Sequence, residues 1–153
     1  MLESLYQWLE PKSTWAIFTL LFLGFIIFSQ LFEQRHKELG YENKMLDMQG
    51  WYGPAEVKSL FDKIQPLKTN YLKLGETDGL KLYAITELTV DIVFPFIYCF
   101  LIIIPIIHLY SPGNAKYLIL LPICAALADL CENISIALMA FTYDKSISIV
   151  NKK

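Results

Sequence analysis

Three long apolar stretches constrain the fold of this 153-residue chain more than any other feature. The first, residues 15–32, carries no charged side chain over eighteen positions. A helix of that length rises about 27 Å, which is enough to cross the hydrocarbon core of a bilayer. Residues 88–110 and 117–141 are also long enough to cross it, although both contain acidic residues. The sequence therefore predicts an all-α integral membrane protein with three transmembrane helices.

The first apolar stretch could also be read as a cleaved signal peptide. Glu3 and Glu10 stand where such a leader would be basic, and no A-x-A-like cleavage site follows the stretch. These features favour a retained transmembrane helix. Residues 1–14 place Leu2, Leu5, Tyr6 and Leu9 on one side and are predicted as an interfacial N-terminal segment.

The second and third stretches are joined by a short linker, residues 111–116, with Pro112-Gly113 near its centre. A linker of that length cannot recross a bilayer, and Pro-Gly is typical of a turn. The sequence therefore predicts that these two helices form an antiparallel hairpin.

The distribution of Lys and Arg predicts the orientation. Residues 33–87 contain eight of these residues and the tail, residues 142–153, contains three, whereas the other side has only Lys12 and Lys116. Positive charge is retained in the cytoplasm. We therefore expect the N-terminus outside, with residues 33–87 and the C-terminal tail in the cytoplasm.

Residues 33–87 form the only long polar stretch and are predicted as a cytoplasmic amphipathic helical segment. Gly53-Pro54-Ala55-Glu56 is typical of a helix start, since proline fits the first helical position and a carboxylate suits the positive end of the helix dipole. Apolar residues then recur at helical spacing: Val57, Leu60, Phe61 and Ile64. So small a segment buries little core alone, and we expect it to lie on the membrane surface or to pack under the spans.

Two further local predictions concern the end of this segment. Pro66 should end the first amphipathic helix, and a second short helix is expected to run through Leu67, Tyr71 and Leu74 and stop at Gly75. Asp78 is expected to cap the helix that continues into the second span.

The acidic residues inside the spans are the most informative for function. Asp91 lies in the second span, and Asp129 and Glu132 lie in the third. A carboxylate at mid-bilayer costs roughly 2.5–3.5 kcal/mol on insertion scales, so intramembrane acids favour a functional interpretation. The alternative is a structural role, in which these side chains form hydrogen bonds that only hold the two helices together.

Helical periodicity predicts which side chains share this site. At 100° per residue, Glu87, Asp91 and Tyr98 fall on one face of the second span, and Asp129, Glu132 and Asn133 fall on one face of the third. Counting from the linker places Tyr98 and Asp129 at the same depth, about 18 Å from its end. The predicted ligand- or ion-binding residues are Asp91, Tyr98, Asp129, Glu132 and Asn133.

Together with Glu87, these five residues form what we call the polar seam. Its negative charge is not balanced from within the hairpin. Between Lys81 and Lys145 the only basic residues are His108 and Lys116, and both belong near the linker. One of Asp129 and Glu132 is therefore expected to be neutral, or a cation, a ligand or a basic group from residues 33–87 or another subunit contributes. Glu87 is expected to be a solvated helix end.

The sequence predicts no catalytic residue, cofactor or metal site. Its two histidines, His36 and His108, are far from the acids, and Cys99, Cys124 and Cys131 lack CxxC spacing and are expected to be buried, reduced thiols. Nucleophile-elbow, P-loop and dinucleotide-binding motifs are absent.

The chain resembles a group of small bacterial multi-pass membrane proteins of uncharacterised function. The resemblance covers residues 46–141 and rests on these residues: Leu46-Asp47, Tyr52-Gly53-Pro54-Ala55-Glu56, Asp91, Phe94-Pro95, Tyr98, Asp129 and Glu132-Asn133. It implies a bacterial inner-membrane location and no activity. Such proteins often continue into another span, whereas Thr142 to Lys153 is short and polar here, so a further helix is missing or a partner supplies it.

Three classes of function remain open from the sequence. The first is a binding or transport-like module in which the acids hold a proton, a cation or a polar lipid head group. The second is a non-catalytic assembly protein that docks another membrane subunit, or a copy of itself, through the polar seam. The third is a membrane enzyme that uses the carboxylates as acid and base on a lipid-linked substrate. The net charge of −2 favours no nucleic-acid partner.

Overall fold

The computed structural model describes residues 1–40, 45–46, 49, 51–69 and 77–143, and these residues are helical apart from one short strand pair. The elements, in chain order, are α1 (Leu2–Leu9), a 3₁₀ turn (Glu10–Lys12), α2 (Trp15–Leu39), α3 (Pro54–Ile64), β1 (Lys68–Thr69), β2 (Thr77–Asp78), α4 (Gly79–Leu109), α5 (Pro112–Leu118) and α6 (Leu120–Thr142). Three stretches are long and apolar enough to cross a membrane: α2, α4 and Pro112–Thr142. The prediction of a helical protein with three candidate spans is confirmed.

The helices extend beyond the apolar stretches that the sequence marks. Helix α2 continues past residue 32 to Leu39, where Gly40 adopts a positive φ of 86° and ends it. Helix α4 begins at Gly79, nine residues before the predicted span, and the backbone N–H of Lys81 donates to Oδ1 of Asp78 at 2.7 Å. The predicted Asp78 cap is therefore confirmed. The predicted linker is helical from Pro112 onward, because proline at the first position starts a helix as readily as it makes a turn.

The chain divides into two compact units. Unit 1 consists of residues 1–30 and 90–131, and unit 2 consists of residues 31–89 and 132–153. Each of the three long helices contributes one part to each unit, and the two units are described separately below.

The core of unit 1 joins the N-terminal helix to parts of α4, α5 and α6. Its buried apolar residues are Tyr6, Leu9, Cys99, Ile103, Ile107, Ala115, Ile119 and Ala126. Tyr6 and Leu9 are the buried residues of α1, which confirms the amphipathic helix expected within residues 1–14. Lys116 also pairs with Glu3 at 3.1 Å, so a charged contact joins α1 to α5 at the surface.

The junction between the 3₁₀ turn and α2 is fixed to the end of α4. His108 Nε2 lies 2.7 Å from the backbone oxygen of Ser13, and its ring stacks on Trp15 with centroids 4.9 Å apart. The hydroxyl of Ser13 donates to the carbonyl of Leu9. This histidine therefore holds the start of α2 against α4.

The core of unit 2 packs α3 against the ends of α2, α4 and α6. Its fully or nearly fully buried residues are Leu39, Met45, Leu46, Leu60, Phe61, Ile64, Leu80, Leu82, Tyr83, Ala84, Ile136 and Ala140. The predicted stripe of α3 accounts for Leu60, Phe61 and Ile64, and Val57 packs against the cluster. Of the two placements expected for residues 33–87, this core corresponds to packing against the long helices.

Local contacts fix both ends of α3. The carboxylate of Glu56 accepts the backbone N–H of Gly53 at 2.9 Å, which confirms the predicted helix start. Near the other end, the hydroxyl of Tyr143 donates to Oδ1 of Asp62 at 2.8 Å, and its ring meets Phe61 edge-on. Burial, together with the hydrogen bond to Asp62, raises the pKa of Tyr143 to about 12. The neutral tyrosine thus joins the chain after α6 to α3.

The prediction of a second short helix between Leu67 and Gly75 is wrong for the first residues of that range. Lys68 and Thr69 are extended and pair antiparallel with Asp78 and Thr77. The strand pair satisfies backbone groups that a helix would otherwise pair. The rest of that prediction, including Tyr71, Leu74 and Gly75, lies outside the described residues, as does most of the tail.

Gly79 lies where two chain segments of unit 2 approach closely, which generates a test. A Cβ atom at this position would collide with the backbone carbonyl of Ile64 and lie 3.2 Å from a methyl group of Leu39. We expect Gly79→Ala to destabilise the protein by about 1–3 kcal/mol, because the backbone of Ile64 cannot move aside cheaply. Thermal unfolding of the purified protein in detergent measures this.

Gly113→Ala is the matched control, because a Cβ atom there meets nothing within 4 Å. Its stability should stay within about 0.5 kcal/mol of the parent protein. Equal unfolding temperatures for the two variants would contradict the close approach at Gly79.

Candidate functional site

Two of the predicted site residues meet in unit 1. The hydroxyl of Tyr98, on α4, donates to Oδ2 of Asp129, on α6, at 3.1 Å. Both side chains are half-buried. This contact confirms that Tyr98 and Asp129 lie at the same level, as counting from the linker predicted.

The ring of Tyr98 is held by other aromatic side chains. It meets Phe94 edge-on with ring centroids 5.9 Å apart, and Phe94 stacks on Phe25 of α2 at 5.3 Å. Phe94 precedes Tyr98 by one helical turn, so the two rings lie on the same face of α4. The hydrogen-bond donor to Asp129 is therefore positioned by a run of rings that reaches α2.

Asp91 also lies in unit 1, and its side chain is only 5% exposed. It is seven residues before Tyr98 on α4. Burial of a carboxyl group requires compensating hydrogen bonds or charges, so Asp91 belongs with the polar interior rather than the surface.

Glu132 and Asn133 belong to unit 2, although they follow Asp129 on the same helix. Asn133 is 2% exposed and Glu132 is half-buried. Their role in a ligand site, like that of Asp91, stays a prediction.

An apolar groove lies on the surface of unit 1. Ile102 of α4 and Ala125 of α6 are exposed there. They line a groove of about 360 Å³ together with Ile106, Tyr110, Leu118, Leu121 and Pro122. Beside it, Ile103 and Ile107 of α4 pack in one buried cluster with Ala126 of α6.

Unit 2 contains a buried ion pair that the sequence did not predict. Nη1 of Arg35, near the end of α2, lies 3.3 Å from Oε1 of Glu87 on α4, and the two side chains are 3% and 0% exposed. Glu87 is thus not the solvated helix end that the sequence suggested. The helix extends eight residues before it and buries it.

Aromatic rings flank this ion pair. The guanidinium carbon of Arg35 lies 5.2 Å from the ring centroid of Phe32 and 5.6 Å from that of Tyr83. The hydroxyl of Tyr83 in turn accepts the backbone N–H of Leu46 at 3.0 Å. Such rings favour a cation electrostatically and shield it from water.

One signal in the sequence could have found this pair. Arg35 follows the first apolar stretch by three positions, so a helix that continues past residue 32 carries it on the same helix as the span. Glu87 shares its helical face with Asp91. Arg35 is a basic group within residues 33–87, but it pairs with Glu87, and a basic partner for Asp129 or Glu132 stays a prediction.

The side chains that could ligate a metal ion are considered next. Among the residues that the structure describes, no group of three or more His, Cys, Asp and Glu side chains is arranged to hold a metal ion. Cys99 is buried, but Cys124 and Cys131 are exposed, contrary to the expectation of burial, and all three are free thiols. The two exposed thiols lie on the side of α6 away from its buried residues.

Comparison of the chain with protein-family models, curated proteins and solved structures found no match. The resemblance to small bacterial membrane proteins therefore stays a prediction, and the candidate site is argued from its own geometry.

The Arg35–Glu87 ion pair can be tested by a double-mutant cycle. Arg35→Met and Glu87→Gln should each destabilise the protein by about 3–5 kcal/mol, because each leaves a buried group without this counter-charge. The double variant should lose much less than the sum of the two, as judged by denaturant unfolding in detergent.

The ion pair of Lys58 and Asp62 serves as the exposed comparison. Nζ of Lys58 lies 2.8 Å from Oδ2 of Asp62, and the side chain of Lys58 is 49% exposed. Lys58→Met should cost less than about 1 kcal/mol. If Arg35→Met costs no more than Lys58→Met, or the effects of Arg35→Met and Glu87→Gln simply add, the buried pair is not coupled.

Proposed function

We propose that this chain is a small integral membrane protein whose buried acidic site binds a proton, a cation or a polar lipid head group, in a binding or transport-like role. The observation that supports this most is the hydrogen bond from Tyr98 to Asp129 at 3.1 Å, made between two helices that are each apolar and long enough to cross a membrane. Asp91, also in unit 1, lies on the same helix as Tyr98, and Glu132 and Asn133 are added from the sequence prediction alone.

The cost of an intramembrane carboxylate gives this proposal its physical basis. Asp129 stands in a stretch where each charge costs roughly 2.5–3.5 kcal/mol to insert. A hydrogen bond from Tyr98 offsets part of that cost, and binding of a proton or cation offsets more. The half-buried setting leaves the carboxylate within reach of a ligand.

The proposed topology has the N-terminus outside, α4 and Pro112–Thr142 as an antiparallel hairpin, and residues 33–87 and the tail in the cytoplasm of a bacterial inner membrane. The excess of Lys and Arg in residues 33–87 and 142–153 supports it. Exposed amphipathic aromatics near α1, α5 and the start of α2, namely Trp8, Trp15, Tyr110 and Tyr117, suit a membrane interface.

A second candidate function is that of a non-catalytic assembly subunit that packs against a copy of itself or another membrane protein. One observation favours it: Cys124, Ala128 and Cys131 are exposed on α6 at spacings of four and three. Small residues at such spacing let helices approach closely in a membrane. This stripe lies on the side of α6 away from its buried residues, so it indicates a surface separate from the polar seam through which the sequence predicted docking.

The acidic site is tested by Asp129→Asn combined with Glu132→Gln. An amide at position 129 still accepts the hydrogen bond from Tyr98, so we expect the thermal stability of this variant to stay close to that of the parent. The melting temperature of the variant should depend less on pH in the acidic range than that of the parent, because two acidic groups have been removed, while the Arg35–Glu87 pair remains. Glu38→Gln, an exposed acid of α2, is the control and should keep the pH dependence of the parent.

Native mass measurement of the same proteins separates the two candidates. An unchanged oligomer with a reduced pH dependence supports the binding site, whereas loss of the oligomer supports the assembly role. A variant that keeps both properties of the parent contradicts a function for these carboxylates.

Reporter fusions test the proposed topology. A fusion after Lys116 should show the activity typical of the outside of the cell, and a fusion at the tail should show the cytoplasmic activity, because positive charge is retained inside. A tail that reports from outside would overturn the orientation.

A further inference from the structure

His108 makes two contacts that join the end of α4 to the chain at the start of α2. Its Nε2 atom lies 2.7 Å from the backbone oxygen of Ser13, and its ring stacks on that of Trp15 with an interplanar angle of 16°. Ser13 precedes α2, and the N–H of Phe18 donates to the carbonyl of Thr14. The carbonyl of Ser13 therefore lies outside the hydrogen-bond ladder of that helix and is available to the histidine.

The acceptor fixes where the hydrogen of a neutral His108 lies. A backbone carbonyl only accepts hydrogen bonds, so Nε2 carries the hydrogen and donates it to Ser13. In the neutral ring Nδ1 then has a lone pair and no hydrogen. His108 is exposed, next to the last residue of α4. The ring can therefore take up a proton at Nδ1 while both of its contacts stay in place.

Protonation of this ring strengthens both contacts. A hydrogen bond donated by an imidazolium is charge-assisted and is roughly twice as strong as a neutral one. A cation within about 6 Å of an indole centre is attracted to the face of that ring. The ring centroids of His108 and Trp15 are 4.9 Å apart. The contact between the start of α2 and the end of α4 is therefore tighter when His108 is charged.

The charged side chains of the neighbouring elements have partners of their own. These pairs are Lys12 with the carbonyl of Trp8, Glu10 with Tyr6, and Lys116 with Glu3. Helix α2 has no charged residue before Glu33, and α4 has no acid after Asp91. The nearby phenols of Tyr110 and Tyr117 are uncharged where histidine titrates. The group that changes charge at this contact is therefore His108 itself.

We propose that His108 is a pH-sensitive latch, which holds the start of α2 against the end of α4 when its ring is protonated and loosens that hold when the proton leaves. Histidine ordinarily changes charge between pH 5 and 8, so the latch works in that range. It uses none of the residues of the proposed acidic site and does not depend on what that site binds. Under the topology proposed above, the latch lies on the outer side and responds to acidity outside the cell.

The fluorescence of Trp15 tests the contact directly. Trp8→Phe and Trp51→Phe replace the other two tryptophans, which are both exposed, so that the full-length protein in detergent emits from Trp15 alone. We expect this emission to change along one titration between pH 5 and 8, because the charge appears against the indole face. His108→Gln should abolish the titration, since its amide still donates to Ser13 but carries no charge. His36→Gln removes the only other histidine and should leave the titration in place.

Thermal unfolding tests whether the charged ring holds the helices together. The parent should melt about 2–4 °C above His108→Gln at pH 5. This difference should fall to about half or less at pH 8, because stabilisation by a protonated group is present at low pH and is lost as the pH rises. If His108→Gln disturbs folding, Trp15→Leu serves instead: it keeps the histidine and removes the ring beneath it, so it too should cost more stability at pH 5 than at pH 8.

Several outcomes are incompatible with the latch. A Trp15 emission that does not titrate between pH 5 and 8, or a titration that persists in His108→Gln, shows that the charge of this ring does not act on the contact. A loss of stability in His108→Gln that is the same at pH 5 and pH 8 identifies a structural contact with no pH dependence. If the Trp15 titration disappears in Asp129→Asn combined with Glu132→Gln, the pH response originates in the acidic site and the latch is rejected.

Discussion

The cost of placing charge among apolar helices governs the arrangement of polar side chains in this protein. A carboxylate surrounded by hydrocarbon is unfavourable unless hydrogen bonds or a counter-charge compensate it. The described residues of each unit include an example of such compensation. In unit 1 the hydroxyl of Tyr98 donates to Asp129, and in unit 2 the guanidinium of Arg35 meets Glu87. Both contacts join residues that are distant in sequence, so the polar groups also specify which helices pack together.

The two contacts differ in how much space surrounds them, and that difference separates structure from function. Arg35 and Glu87 are sealed, with almost no exposed surface and with aromatic rings on either side of the guanidinium. A pair of that kind has no room for a ligand and serves to position the helices. Tyr98 and Asp129 are both half-buried, so part of their surface is left open. The less enclosed of the two acids is the better candidate for a site.

Local rules and helical periodicity were sufficient for part of this structure. The start of α3 at Gly53 and Glu56 and the cap at Asp78 follow from short-range chemistry, and the Tyr98–Asp129 contact follows from counting turns on two helices that share a short connection. These predictions succeeded because the interacting groups are close in sequence or are fixed by one linker.

The predictions that were wrong, and the features that were missed, depend on contacts between residues that are distant in sequence. The partner of Glu87 lies fifty-two positions away, and no period within one helix identifies it. The strand pair at Lys68 and Thr69 depends on a second segment that returns to meet it. The groove is lined by residues from α4, α5 and α6 together. Each of these features is decided by how elements pack, and such information is not contained in any single stretch of the chain.

The run of rings from Phe25 through Phe94 to Tyr98 has a mechanical consequence. Phe25 belongs to α2, whereas Phe94 and Tyr98 share α4. A shift of α2 along α4 would therefore break the contact between Phe25 and Phe94 and keep that between Phe94 and Tyr98, so the donor to Asp129 retains its nearer aromatic neighbour.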